Sequence, residues 1–266
     1  MTKSIEGQKT KRSNPKPRLH TPLLKGKSLS DEVSALADRI GMPLMPWQKW
    51  VFDDMMKVDA DGMFRRKTIG LLAARQNGKT HIARMRILYG LIKGERIVAM
   101  SSNRNMALDT FREVAYIIQT NDFLAEQLAH KPRLANGQEM ITFKNGGRYE
   151  IVAATRDGSR GKTADLLFID ELREITLDAW TASRPITRAR ENAQTLVTSN
   201  AGDAFSEVLN DLRERALSYP SPTFAWYEYS APQGCDIWDK KFWYMANPAL
   251  GWTITEDVIA EAVATN

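Results

Sequence analysis

The chain has 266 residues, 43% hydrophobic and 26% charged, with 16 Gly and 11 Pro. That is close to the globular average and excludes collagen, coiled coil and wholesale disorder, and at roughly 100 to 200 residues per domain it allows one large domain or a core with an appendage. Cys235 is the one cysteine, which excludes an intrachain disulfide and a cysteine-based zinc site and points to an intracellular setting. No stretch approaches the roughly 20 apolar residues that cross a bilayer, and the polar N-terminus lacks a signal-peptide core, so a soluble, cytoplasmic protein without a membrane partner is expected.

The net charge of +5 is unevenly spread: residues 1–27 carry eight Lys or Arg against Glu6, a local +7, which leaves the remainder near −2. With Pro15, Pro17 and Pro22 and few apolar residues, residues 1–30 read as a mobile basic tail, able to hold nucleic acid by charge or to act only as a solvated leader.

A short amphipathic helix follows from Ser30, with Val33, Leu36, Ala37 and Ile40 on one side, and stops at Gly41 before Pro43. Pro46-Trp47-Gln48 opens another helix. Lys67 to Ala73 reads as a buried strand, and Ile82, Met85, Tyr89 and Ile92 recur at helical spacing after Thr80. Arg96 to Met100 is a strand, Met106 to Ile118 a helix, and Lys144 to Arg148 a hairpin turn into a strand at Tyr149 to Ala154. Leu166 to Ile169 is a short apolar strand, Trp180 to Ala193 is interrupted at Pro185, and Thr195 to Thr198 is a further strand. Strands separated by helical segments predict an α/β fold with a mostly parallel central sheet flanked by helices, over residues 31–202. Residues 203–266 read as a smaller lid or linker, with a helix at 204–217 and a segment at 223–230 able to return to the core as a strand. The chain ends inside a helical pattern, which suggests a domain cut from a longer protein.

The strongest local signal is Ala73-Ala74-Arg75-Gln76-Asn77-Gly78-Lys79-Thr80, a phosphate-loop pattern with Ala73 in place of its first glycine, set between a strand and a helix. Such a loop turns backbone N–H groups toward a triphosphate at a helix N-terminus, with Lys79 reaching the outer phosphates and Thr80 on Mg²⁺. The second signal is Leu166-Leu167-Phe168-Ile169-Asp170-Glu171, an apolar strand ending in two acids. If its strand neighbours the phosphate-loop strand, Asp170 lies in the Mg²⁺ shell and Glu171 orients and deprotonates the attacking water.

As an ordered set, these residues resemble the large terminase subunit of tailed double-stranded-DNA bacteriophages, in its N-terminal packaging ATPase. The set includes Leu44-Met45-Pro46-Trp47-Gln48, the phosphate loop, Ser159-Arg160-Gly161 before Asp170-Glu171, and Thr198-Ser199-Asn200. Tyr229-Ser230-Ala231-Pro232 and Asn247-Pro248-Ala249-Leu250-Gly251 extend it, so that the resemblance spans roughly residues 33–266.

The resemblance implies a P-loop NTPase of the RecA-like type that takes ATP and Mg²⁺. It implies that Arg75, Gln76, Asn77, Gly78, Lys79 and Thr80 cradle the nucleotide and that Gln48, beside Trp47, senses adenine. Arg160 corresponds to an arginine finger for a neighbouring subunit, and Thr198, Ser199 and Asn200 to a motif coupling hydrolysis to DNA movement. The partners it implies are double-stranded DNA, further copies of the chain in a ring, a portal protein and a small terminase subunit. Read from the residues alone, Gln48 fits helix capping as well as adenine contact, Trp47 fits core packing, and Arg75 and Arg160 fit ion pairs.

Family members also carry an RNase H-like nuclease domain with clustered acids, which this sequence does not include, so no DNA cleavage is expected of it. A helicase-like translocase, or an ATP-gated DNA-binding module without useful hydrolysis, stand as alternative readings. Arg104, Arg112, Lys144 and Arg148 are candidate DNA-phosphate contacts.

Overall fold

Alternation along the central strands sets the layers. In the segment Leu166–Asp170, Leu166 and Phe168 bury on one face of the sheet while Leu167 and Ile169 bury on the other, as a strand covered on both sides requires. The computed structural model describes residues 11–102, 104–134, 137–153 and 161–265. Its strands are β1 (Leu19–His20), β2 (Thr68–Leu72), β3 (Arg96–Ser101), β4 (Met140–Thr142), β5 (Arg148–Ala153), β6 (Leu166–Asp170), β7 (Gln194–Ser199) and β8 (Phe224–Glu228). They form one sheet in the order β1, β8, β2, β7, β6, β3, β5, β4. The pairings from β8 through β5 are parallel, and β1 and β4 close the two edges antiparallel.

The helices are α1 (Ser30–Arg39), α2 (Pro46–Met55), α3 (Lys79–Ile92), α4 (Arg104–Thr120), α5 (Asp122–Ala125), α6 (Leu177–Ser183), α7 (Pro185–Arg188), α8 (Glu207–Ser218), α9 (Lys240–Ala246) and α10 (Glu256–Ala264). The larger apolar cluster packs α1 to α4 on one face against Ile69, Leu71, Ile97, Ala99, Phe168 and Leu196. The smaller packs α6 to α8 on the other face against Val98, Leu167, Ile169, Val197 and Trp226. Gly70 on β2 faces this second layer, where a Cβ would collide with the Trp226 ring from β8. This is the α/β architecture expected, with a mostly parallel sheet flanked by helices.

Four features differ from the sequence reading. First, β2 and β6 are not neighbours, because β7 lies between them. The acids of β6 therefore meet the phosphate loop across the end of β7. Second, residues 203–222 are not part of a lid: α8 packs Val208, Leu209, Leu212 and Ala216 into the core beside Trp226, and it starts at Glu207 rather than 204; the segment at 223–230 does return to the core, as β8 beside β2. The separate apolar cluster is that of Trp243, Ala249, Leu250 and Ile254.

Third, residues 11–30 of the expected tail are folded onto the core. β1 pairs with β8, Leu24 N–H donates to Asp54 at 2.7 Å, and the Arg18 guanidinium bonds Glu228 and Ser230 at 3.2 and 2.7 Å. Few apolar residues are needed, since backbone pairing and charge-assisted hydrogen bonds hold the segment. Residues 1–10 lie outside the described residues. Fourth, the helical segment expected from Trp180 to Ala193 runs instead from Leu177 to Arg188, as α6 and α7; the expected interruption at Pro185 is present, with Pro185 at the first position of α7, where its missing N–H costs nothing.

Candidate functional site

The end of β2 runs into a tight loop whose geometry is set by two left-handed residues, Gln76 at φ +61° and Gly78 at φ +92°. Gly78 is required twice over, because a Cβ there would also lie 2.9 Å from Gln48 Nε2 and 3.1 Å from the Met45 methyl. Lys79 then opens α3, whose 14 residues present free N–H groups and the positive end of the helix dipole at the loop. The Lys79 ammonium is buried and donates all three of its protons: to the carbonyls of Ala73 and Ala74 at 2.7 and 3.0 Å and to Asn200 Oδ1 at 2.7 Å. Burial pulls its pKa down to about 8; Glu171 and Asp170 oppose this, while the positive charges of Arg75 and Arg173 add to it.

Asn77 points the other way. Its Nδ2 donates to the Arg75 carbonyl at 3.1 Å and to Asn247 Oδ1 at 3.0 Å, and its Oδ1 accepts from Ala249 N–H at 3.0 Å. The phosphate loop is thereby bolted to the turn between α9 and α10. That turn is in turn bonded by Ser13, which donates from Oγ to the Asn247 carbonyl at 2.7 Å.

The acid edge stands across β7. Asp170 Oδ1 accepts from Thr198 Oγ1 at 2.6 Å and from Glu171 N–H at 3.0 Å. Glu171 takes a left-handed backbone, φ +50° and ψ +56°, a strained choice for a residue with a Cβ. Its Oε1 accepts from Asn200 Nδ2 at 2.9 Å. Its Oε2 is buried without a hydrogen-bond donor among the described residues, with Arg173 Nε at 3.6 Å. Ser199 Oγ accepts from the Arg173 N–H at 3.2 Å and holds the short helical turn Leu172–Glu174 that follows the acids.

The last two residues of β7, Thr198 and Ser199, and Asn200 just after it thus bond Asp170, the turn after Glu171, and both Lys79 and Glu171. Thr80, next to Lys79 in the first turn of α3, and Asp170, whose Oδ2 makes no hydrogen bond among the described residues, offer hard oxygen donors of the kind a divalent cation such as Mg²⁺ takes. The unmatched Glu171 Oε2 is an acceptor suited to a water proton.

Other sequence candidates fall elsewhere. Gln48 is fully buried with its amide already engaged: Oε1 caps α2 by accepting from Met45 N–H at 2.8 Å, and Nε2 donates to the Gly78 carbonyl at 3.0 Å. The capping role open in sequence is thus filled, and the same amide braces the phosphate loop. Trp47 is also buried, edge-on to Tyr229 at 5.2 Å between ring centroids, and is core packing rather than a stacking surface. Arg75 and Gln76 are exposed on the loop, and Arg75 forms no ion pair among the described residues. Arg160 lies outside the described residues. Arg173 was missed by the sequence reading; its signal is a cation two positions after the acid pair.

The family model described as terminase large subunit, T4likevirus-type, N-terminal, matches residues 71–256. The large terminase subunit of Enterobacteria phage HK97 is 26% identical over 192 residues, covering 68% of this chain and 37% of that protein. The crystal structure of the HK97 large terminase superimposes with a TM-score of 0.79 at 22% identity, covering 90% of this chain and 52% of that one. The large terminase of the thermophilic bacteriophage D6E, in complex with ATP-γ-S, superimposes with a TM-score of 0.53 at 12% identity, covering 81% of this chain and 47% of that one. These likenesses show a shared fold, and the chain spans between about a third and a half of the relatives' lengths. Since the family match runs from the end of β2 into α10, through the phosphate loop, the acid pair and Asn200, the chain belongs to the terminase large subunit family, in its N-terminal region.

Proposed function

We propose that the chain is a Mg²⁺-dependent ATPase whose hydrolysis drives double-stranded viral DNA into a procapsid in the cytoplasm of an infected bacterium. The observation that carries this reading is the Asn200 bridge, with Lys79 on one end of its amide and Glu171 on the other. A phosphate-binding lysine and a water-orienting carboxylate tuned by one side chain is an arrangement for turnover, beyond what nucleotide binding requires.

In this reading the γ-phosphate exchanges with the Ala73 and Ala74 carbonyls for the Lys79 ammonium, and the loop N–H groups and the α3 terminus hold the remaining phosphate oxygens. Thr80 and Asp170 hold the Mg²⁺, which when bound neutralises charge on the phosphate oxygens. Glu171 orients the attacking water through Oε2 and takes its proton, while Thr198 keeps Asp170 in place. Arg160 reaches the γ-phosphate of a neighbouring subunit in a ring and spreads the transition-state charge. Asn77 passes movement of the loop to Asn247 and Ala249. A portal protein and a small terminase subunit complete the packaging assembly.

ATP turnover per subunit, measured against protein concentration with and without duplex DNA, tests the shared site. Specific activity should rise with concentration and with DNA, and Arg160→Ala should lower it by about 10³-fold or more. Mixing Arg160→Ala with Glu171→Gln should restore part of the activity, because one mixed interface then holds an intact Glu171 and an intact Arg160. A flat concentration profile with no recovery on mixing would contradict a finger acting between subunits.

A further inference from the structure

The parallel strands end at the phosphate loop and begin at the opposite edge of the sheet, where Thr68, Thr195 and Phe224 of β2, β7 and β8 floor a cavity of about 400 Å³. Its walls are α6, α7, the turn after α7 and one side of α8. Five cations line it, Lys67, Arg184, Arg188, Arg190 and Arg215, against the single acid Glu191. Lys67 Nζ donates to the Glu191 backbone carbonyl at 2.9 Å and leaves its carboxylate aside, and Arg190 pairs with Asp165 at 3.5 Å. Arg184, Arg188 and Arg215 are exposed and have no ion pair or side-chain hydrogen bond among the described residues.

Of the cations singled out from sequence, the Arg104 side chain lies outside the described residues, and the other three have partners. Arg112 pairs with Asp109 at 3.8 Å, Arg148 with Glu150 at 3.1 Å, and Lys144 donates to the Glu126 carbonyl at 2.6 Å. Those are engaged within the protein, whereas three arginines brought together from α6–α7 and α8 are not. Gathering like charges around a concave, low-dielectric wall costs self-repulsion and creates a positive potential that an anion relieves. The planar guanidinium fork matches phosphate oxygens two at a time, and the hydroxyls of Thr68, Thr187 and Thr195 add neutral donors. Trp180, Leu212 and Phe224 also line the cavity, but its cations outnumber its acids five to one, which favours a polyanion over an apolar anchor.

We propose that this basic cavity holds the phosphodiester backbone of duplex DNA, on the edge of the sheet opposite the ATP site. The proposal rests on the DNA-translocation reading above and adds the place of contact. β2 and β7 each span the sheet from that contact to the chemistry: β2 runs from Thr68 to the phosphate loop, and β7 from Thr195 to Thr198, Ser199 and Asn200. A small shift of either strand is thus felt at both ends.

The test is binding of a duplex oligonucleotide of arbitrary sequence by fluorescence anisotropy across a salt series. It compares the full chain with Arg184→Ala/Arg188→Ala/Arg215→Ala and with a charge-matched control, Lys16→Ala/Lys49→Ala/Lys131→Ala, in exposed positions elsewhere. The cavity variant should bind at least roughly tenfold more weakly and lose about two to three from the salt slope, with the control close to the parent. Arg184→Lys/Arg188→Lys/Arg215→Lys, which keeps the charge, should recover most of the slope. Equal binding by parent and cavity variant, or equal losses in cavity variant and control, would overturn the assignment while leaving DNA binding intact. Loss of polyglutamate binding with unchanged DNA binding would overturn it in favour of an acidic protein segment. Absence of DNA binding by the parent chain itself would instead count against the translocation reading on which the proposal rests.

Discussion

Lys79 and Glu171 are joined through one side chain, the Asn200 amide, which accepts from the lysine at 2.7 Å and donates to the carboxylate at 2.9 Å. The two charged groups follow different strands, Lys79 at the start of α3 after β2 and Glu171 just after β6, and the residue between them follows the strand that separates those two, β7. Removing the bridge should therefore disorganise the chemistry more than it weakens binding. Asn200→Ala is expected to lower ATP turnover by roughly a hundredfold through misplacement of Glu171, with a much smaller change in nucleotide affinity. Asn200→Asp keeps the acceptor for Lys79 and loses the donor to Glu171, so it should bind nucleotide and still turn over slowly. Parental turnover in Asn200→Ala would show that the bridge has no part in the reaction.

The buried Lys79 makes nucleotide affinity depend on pH. Burial lowers its pKa to about 8, and the phosphates of a nucleotide favour the charged form, so its pKa rises again in the complex. Affinity is then full below pH 8 and falls as pH rises above it, by up to about tenfold per unit, with one proton taken up on binding. For folding, the sign is the opposite of a salt-bridged lysine's. Between about 8 and the ordinary value near 10.4 the unfolded chain holds the extra proton, so this group's contribution to stability grows with pH across that window. Calorimetry of nucleotide binding at pH 8.5 in two buffers of different ionisation enthalpy reads the proton directly; no uptake would contradict a lysine held partly uncharged.

Asp54 is the hub that fastens the N-terminal segment to the core. It accepts from Arg66 Nε at 3.0 Å, from Tyr227 Oη at 2.6 Å and from Leu24 N–H at 2.7 Å, and both it and Arg66 are almost wholly buried. Asp54→Ala strands the guanidinium in the interior, which costs about 3 to 5 kcal/mol, and should free residues 11–29 to exchange their amide protons. Denaturant unfolding with hydrogen exchange checks both effects; a loss below about 1 kcal/mol would show that water reaches Arg66.

Much of this was legible in sequence where the signal is local. The apolar run at Leu166 to Ile169 is covered on both faces, the left-handed turn at Gly78 sits where the Asn-Gly-Lys pattern places it, and the helical spacing after Thr80 is α3. Pairing over long separations was not legible. The place of β7 between β2 and β6 depends on strands more than 90 residues apart, and nothing in Thr198-Ser199-Asn200 by itself states that its last residue will meet both Lys79 and Glu171. Gln48 was ambiguous because one amide can cap a helix or meet a base, and its contact with the Gly78 carbonyl, 30 residues on, has no local signal. The segment from residue 11 to residue 30 looked mobile because apolar content measures burial and misses hydrogen bonds such as those of Arg18 and Leu24. The basic cavity was invisible because Lys67, the arginines of α6 and α7, and Arg215 are scattered until the sheet gathers them.

The central claim is that Lys79 holds the nucleotide and Glu171 activates water, and paired measurements of ATP binding and single-turnover hydrolysis in Lys79→Ala and Glu171→Gln test it most directly. Glu171→Gln should bind ATP about as tightly as the parent and hydrolyse it roughly 10² to 10⁴ times more slowly, whereas Lys79→Ala should lose binding itself. Turnover in Glu171→Gln close to that of the parent, with ATP bound, would contradict the account.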